Sequence, residues 1–141
     1  MTDISQIRHE LAERLRTITG LNALTHWPDN LTGVAAVVQP ARDPFMLQTG
    51  YGPVYEMYWD VVLLVPFGTG GDVRAQQTLD SYLDPGGELS IWEALEGTNG
   101  SQRLNNEVSD VAVMQVHGYG AIWTIGTTSY MSVSWRVKVM A

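Results

Sequence analysis

Three glycines between an apolar run and an acidic residue, VPFGTGGD at 65–72, have the composition of a loop that cradles a phosphate. The motif test goes against that chemistry. A P-loop places Lys and then Ser or Thr after its last glycine, so that a cation and a hydroxyl meet the phosphates. Here Gly71 is followed by Asp72, a carboxylate where the anion would sit. A carboxylate suits a helix N-terminus as a cap and repels a phosphate from the same place. The dinucleotide pattern G-x-G-x-x-G fails as well, because Val73 stands where its third glycine belongs. The stretch reads as a turn between a strand and a helix, with no cofactor.

The other reactive residue types are equally dispersed. His9, His26 and His117 share no i,i+2 or i,i+4 spacing of the kind metal sites use, so we expect no metal centre. Without cysteine there is no thiol nucleophile, no thiolate zinc ligand and no disulfide. No G-x-S-x-G elbow occurs, and Glu93 and Glu96 lie three apart on a helix face, as solubilising charges do. The expectation is a chain with no catalytic residues that is not an enzyme.

Composition narrows the partners. A formal net charge of −7 and a pI near 4.7 leave no basic footprint for gripping nucleic acid. Tyr55, Tyr58, Trp59, Trp123, Tyr130 and Trp135 therefore read as core and cross-strand packing, not as base-stacking platforms. Charges interrupt the N-terminal segment, which excludes the apolar core of a signal peptide. The longest apolar run, Val61 to Phe67, is far shorter than the roughly 20 residues that span a bilayer, so a membrane is not expected. A length of 141 residues suits a single domain, 1–141.

Periodicity supplies the elements that would position any site. Ile4, Ile7, Leu11, Leu15 and Ile18 form one helical stripe between Asp3 as N-cap and Gly20 as stop. Arg8, Glu10, Glu13, Arg14 and Arg16 fall on the other, solvated face. LTHWPDNL reads as a short extended piece, and Val34–Val38 as a buried strand that Pro40 ends. Residues 40–53 hold three prolines, two glycines and no period, so they read as a long irregular loop. Its apolar Phe45, Met46, Leu47 and Tyr51 either tuck onto the core or form the adhesive part of an interface.

Residues 54–66 form the main strand, with Tyr55, Met57, Trp59, Val61, Leu63 and Val65 on one face. Its second half is apolar on both faces and calls for cover on each. A helix follows from Asp72, with Val73, Gln76, Leu79, Tyr82 and Leu83 as its buried side. Ser90 and Glu93 make a capping box for a second short helix carrying Ile91, Trp92 and Leu95. The remainder reads as a meander of three strands, 111–117, 119–125 and 130–140, with a turn at 126–129. The last strand alternates cleanly, with Met131, Val133, Trp135, Val137 and Val139 inside. The fold class is α+β: a single mainly antiparallel sheet of four to five strands, packed with an N-terminal helix and two further helices.

Four pieces, in order along the chain, carry a likeness to a known family. They are MTDISQIRHELAERLRTITGL, WPDNLTGVAAVVQP, AQQTLDSYLDPGG with IWEALEG, and GYGAIWTIGTTSYMSVSWRVKVMA. In these the chain resembles the tail terminator proteins of long-tailed (siphovirus-type) actinobacterial phages. The resemblance implies a structural virion protein, assembled in the bacterial host cytoplasm as a ring, typically a hexamer. Such a ring caps the head-proximal end of the tail tube, ends tube polymerisation and joins tail to head. The implied partners are further copies of the chain, the tail tube protein and the head–tail neck proteins, with DNA passing through the channel unbound. On that reading Phe45, Met46, Leu47 and Tyr51 are the candidate subunit or tube interface. The alternatives are a head–tail stopper or neck completion protein and, from another class, a small-ligand-binding or enzyme domain.

Overall fold

The computed structural model describes residues 4–18, 20–27, 33–42, 45–48, 55–66, 72–84, 87, 89–96, 110–125 and 128–140. In chain order the elements are α1 (Ile4–Leu15), β1 (Asn22–Leu24), β2 (Ala35–Pro40), β3 (Met46–Gln48) and β4 (Tyr55–Pro66). They continue with α2 (Asp72–Leu83), α3 (Ile91–Glu96), β5 (Asp110–Ile125) and β6 (Thr128–Met140). The fold is α+β, with one mixed, mostly antiparallel sheet in the order β1-β2-β4-β6-β5 and β3 also paired to β4. Only β1 and β2 run parallel. Four strands are long, and the other two, β1 and β3, have three residues each.

The period-2 reading of the two central strands holds residue by residue. Met57, Trp59, Val61, Leu63 and Val65 of β4 and Met131, Val133, Trp135, Val137 and Val139 of β6 share one buried cluster. All three helices cover this front face, through Ile7, Leu11 and Leu15 of α1, Ala75, Leu79 and Tyr82 of α2, and Ile91 and Leu95 of α3. Burying one such side chain contributes roughly 1.5–3 kcal/mol, so this face carries most of the apolar stabilisation. Trp59 is its hub. Phe45 meets its ring edge-on at 5.1 Å, and the Arg8 guanidinium lies 5.6 Å from its centroid.

Several local expectations shift. On α1, Ile4 is exposed, while Ile18 is buried from the turn beyond the helix. The charged residues of α1 are not simply solvated. Arg8 sits over Trp59, and Arg14 donates to the Leu95 carbonyl of α3, so desolvation holds the Arg14 pKa below its ordinary value while Glu10 opposes the shift. On α2 the buried stripe is Ala75, Leu79 and Tyr82, and Val73 and Gln76 point to solvent. The short extended piece pairs at 22–24, earlier than LTHWPDNL placed it. Ser90 accepts from the Glu93 amide at 3.2 Å, while its own amide turns back to Gly87 O at 3.3 Å in place of the reciprocal Glu93 bond.

Within the stretch read as an irregular loop, residues 40–41 and 45–48 bond to β4. The Ala41 amide donates to Tyr58 O, and the Tyr58 amide donates to Phe45 O. Ala41 and Phe45 thus both bond to Tyr58, and β3 resumes the edge of β4 that β2 leaves, with Met46 opposite Met57. The glycine loop at 68–71, with its conformation, lies outside the described residues, as do Asp3, Tyr51 and the 126–127 tip. What is visible is that β4 ends at Pro66 and α2 begins at Asp72, a strand-to-helix connection as expected.

Segments 111–117 and 119–125 are one strand rather than two. β5 runs alongside β6 throughout, with register shifts between Val113 and Gln115 and between His117 and Ala121. Gly118 and Gly120 have φ of 69° and 84°, so the chain spends its extra residues in a bulge and does not reverse.

The α2 faces give a direct check. Leu79→Ala should cost about 2–5 kcal/mol in urea unfolding, as a cavity in the core does. Val73→Ala, at a site 69% exposed, should stay within about 0.5 kcal/mol of wild type.

Candidate assembly surface

The face of the sheet away from the helices is divided in two. Towards the ends of β4 and β6 that carry Glu56 and Lys138, it is a polar ladder. Gln39, Asp60, Arg136 and Gln115 are register partners across β2, β4, β6 and β5. Asp60 Oδ1 accepts from Arg136 Nε at 3.2 Å and stands 3.3 Å from His117 Nε2. Below it, Lys138 Nζ reaches Glu56 Oε1 at 2.6 Å, and Tyr58 donates its hydroxyl to the same oxygen at 2.8 Å. The Lys138 bond, then the Tyr58 bond, hold the Glu56 carboxyl below its ordinary pKa, and the same contact pushes the Tyr58 phenol up. These bonds tie β4, β6 and β5 together on the open face.

The other half of this face is a second apolar cluster of Ala35, Val37, Val62, Leu64 and Tyr130, with Leu24 and Ile125 packed against it. This is the cover that the doubly apolar half of β4 required. The expected outward position of Ser132 falls here too. It is 1% exposed and donates to the Ala121 carbonyl at 3.0 Å.

The structure separates the residues singled out from the sequence. Phe45 is half-buried against Trp59 and serves the core. Met46 and Leu47, on β3, are 37% and 44% exposed, and Tyr51 lies outside the described residues. The histidines remain apart: His9 is beside Glu13, His26 contacts Thr25, and His117 joins Asp60. Among the described residues no group of three or more His, Asp or Glu could hold a metal. Glu93 is exposed, and the Glu96 side chain is not among those described. Of the strand aromatics, Trp59, Tyr130 and Trp135 are buried, whereas Trp123 is 40% exposed. No described helix is long and apolar enough to cross a membrane.

The larger apolar surface is one that sequence reasoning missed. β5 ends the sheet, and its Met114, Val116, Tyr119, Ile122 and Trp123 are 37–54% exposed. From Val111 to Ile125 it carries no Lys, Arg, Asp or Glu. Edge strands are ordinarily guarded by charge, proline or shortness, because an open edge recruits other chains. Among the described residues this one has neither charge nor proline between Val111 and Ile125, and its bulges interrupt the edge. Tyr119 is anchored by donating to Asp80 of α2 at 2.9 Å, and partial burial with that bond pushes its phenol pKa up. Reading 111–117 and 119–125 as two meander strands places Tyr119, Ile122 and Trp123 on a central strand. The signal that pointed elsewhere was the run of apolar residues on both parities of 111–125, too many for one buried face.

No family model matches the chain, and no curated protein matches it.

Glu56 predicts a pH dependence. Its folded pKa lies below the ordinary 4.5, so its stabilisation is complete above that value and is lost as pH falls through the folded pKa. Glu56→Gln should lower stability at neutral pH and flatten the acid limb of a stability–pH curve measured by urea unfolding.

Proposed function

We propose that this chain is a structural subunit that assembles with further copies into a ring and caps the head-proximal end of a phage tail tube. In that role the ring stops tube growth and joins the tail to the head through the neck proteins. DNA passes down its axis without being held. The reading rests on the ordered likeness of four sequence pieces to tail terminators. The single structural observation that supports it is β5, a 16-residue strand at the end of the sheet whose residues 111–125 carry no Lys, Arg, Asp or Glu and expose apolar side chains.

The physical case is one of association. Copies carrying a net charge of −7 repel each other over most approaches. Repulsion is weakest where a surface carries no charge, and burying apolar area there favours contact. β3 supplies a second exposed apolar patch through Met46 and Leu47. It lies on the opposite edge of β4 from β6 and β5, as the sheet order requires. Two unlike patches on opposite sides of a subunit are what a head-to-tail ring needs. No step in this role calls on a catalytic group or a cofactor.

The decisive experiment combines light scattering with negative-stain electron microscopy, on the protein alone and with purified tail tubes. We expect six-fold rings or capped tube ends. Met114→Lys with Ile122→Lys, at sites 50% and 54% exposed, should abolish assembly while leaving unfolding within about 1 kcal/mol of wild type. Leu47→Ser should weaken it from the other side. A protein that stays monomeric and leaves tubes uncapped would overturn the reading. Attachment to DNA-filled heads without tube capping would assign the neck stopper role instead.

A further inference from the structure

The second apolar cluster poses a physical problem, because all three helices pack on the opposite face of the sheet. Even so, Ala35, Val37, Val62, Leu64 and Tyr130 are no more than 1% exposed. Among the described residues, Leu24 of β1 and Ile125 of β5 pack against them. Trp27 follows β1 at one edge, and Trp123 lies on β5 at the other. In a flat sheet those two edge strands would be about 19 Å apart, four spacings of roughly 4.8 Å. Yet the two indole rings lie 5.0 Å apart with an interplanar angle of 31°. The segment after β1 and the far end of β5 therefore meet over the helix-free face.

Named residues bring this about. Trp123 stands opposite Tyr130 in the β5–β6 register, on the same face as the buried cluster. Trp27 donates its Nε1 proton to Gln39 Oε1 of β2 at 2.6 Å, which fixes its ring above that face. The bulge between His117 and Ala121 sits at the root of the β5 segment that carries Trp123. Bulges bend and twist a strand, and the positive φ of Gly118 and Gly120 makes this one possible. A Cβ at either glycine would meet no atom within 4 Å, so the requirement for glycine is one of backbone conformation alone.

We propose that Trp27 and Trp123 form a latch that holds these two segments together, with the Gly118–Gly120 bulge as its hinge. Trp27 is 37% exposed and Trp123 40% exposed, so the contact lies at the surface where it can open without disturbing the helix-covered core. Opening parts the 121–125 segment from the chain that follows β1 and separates Ile125 from Leu24, which both pack on the second cluster. The latch does not depend on the ring reading.

The test uses circular dichroism and native-state hydrogen exchange on the full chain. A coupled tryptophan pair gives an exciton couplet, and both Trp27→Phe and Trp123→Phe should remove it. In either variant the β1 amides and those of 121–125 should exchange together, about three- to tenfold faster, the scale of one aromatic pair. Gly118→Ala with Gly120→Ala should weaken the couplet while both tryptophans remain. In the wild type those two groups of amides should share one opening rate, faster than that of β4 and β6, and this needs no variant to fold. A couplet that survives either tryptophan substitution would overturn the latch. So would independent exchange of the two edges, which would make the ring pair a packing contact only.

Discussion

The antiparallel ladder between β4 and β6, from Glu56 opposite Met140 to Pro66 opposite Tyr130, is the constraint on which the rest of the molecule depends. Side chains alternate along a strand, so this register decides which face each residue serves, and a slip of one would exchange the faces entirely. With the register as it stands, both buried tryptophans, Trp59 and Trp135, face the helices. The same register aligns Asp60 with Arg136 and brings Tyr58 and Glu56 to Lys138 on the other side. Burial and ion pairing thus select the same alignment, one from each face.

From that ladder the sheet grows in two different ways. Towards β2 it grows by short pairing, in which β2 gives way to β3 along the edge of β4. Towards β5 it grows by one long partner whose register shifts at two bulges, the second at Gly118 and Gly120. The doubly apolar half of β4 has the described helices on one side only. Among the described residues the second cluster is flanked by strand residues, Leu24 of β1 and Ile125 of β5. The same partner strand leaves Met114, Val116 and Ile122 exposed at the end of the sheet.

Electrostatics and assembly are linked through this strand. The charged residues of the open face are largely neutralised in pairs, Asp60 with Arg136 and Glu56 with Lys138. The acidic excess is carried elsewhere, and at physiological ionic strength it is screened beyond about 8 Å. An uncharged strand is then the approach of least repulsion between like-charged copies. This is the physical link between the sheet's architecture and the ring proposed above.

Much of this was legible in the sequence. The helix stripes, the alternation of β4 and β6 and the α+β class follow from local periodicity, because each is a pattern of polarity along a few turns or residues. The absence of a phosphate motif at VPFGTGGD is equally local, since it turns on Asp72 following Gly71. What local pattern could not decide was which strand lies at the edge, since that is a property of pairing between segments far apart in the chain. GYG at 118–120 is compatible with a reversal or a bulge, and only continuous pairing with β6 selects the bulge. Phe45 and Leu47 are alike in a list of apolar residues, yet one packs on Trp59 and the other faces solvent, because the neighbouring strand supplies a ring to only one of them. Sequence determined the faces, and tertiary pairing decided the edges, because polarity is written residue by residue while an edge exists only where no other strand arrives.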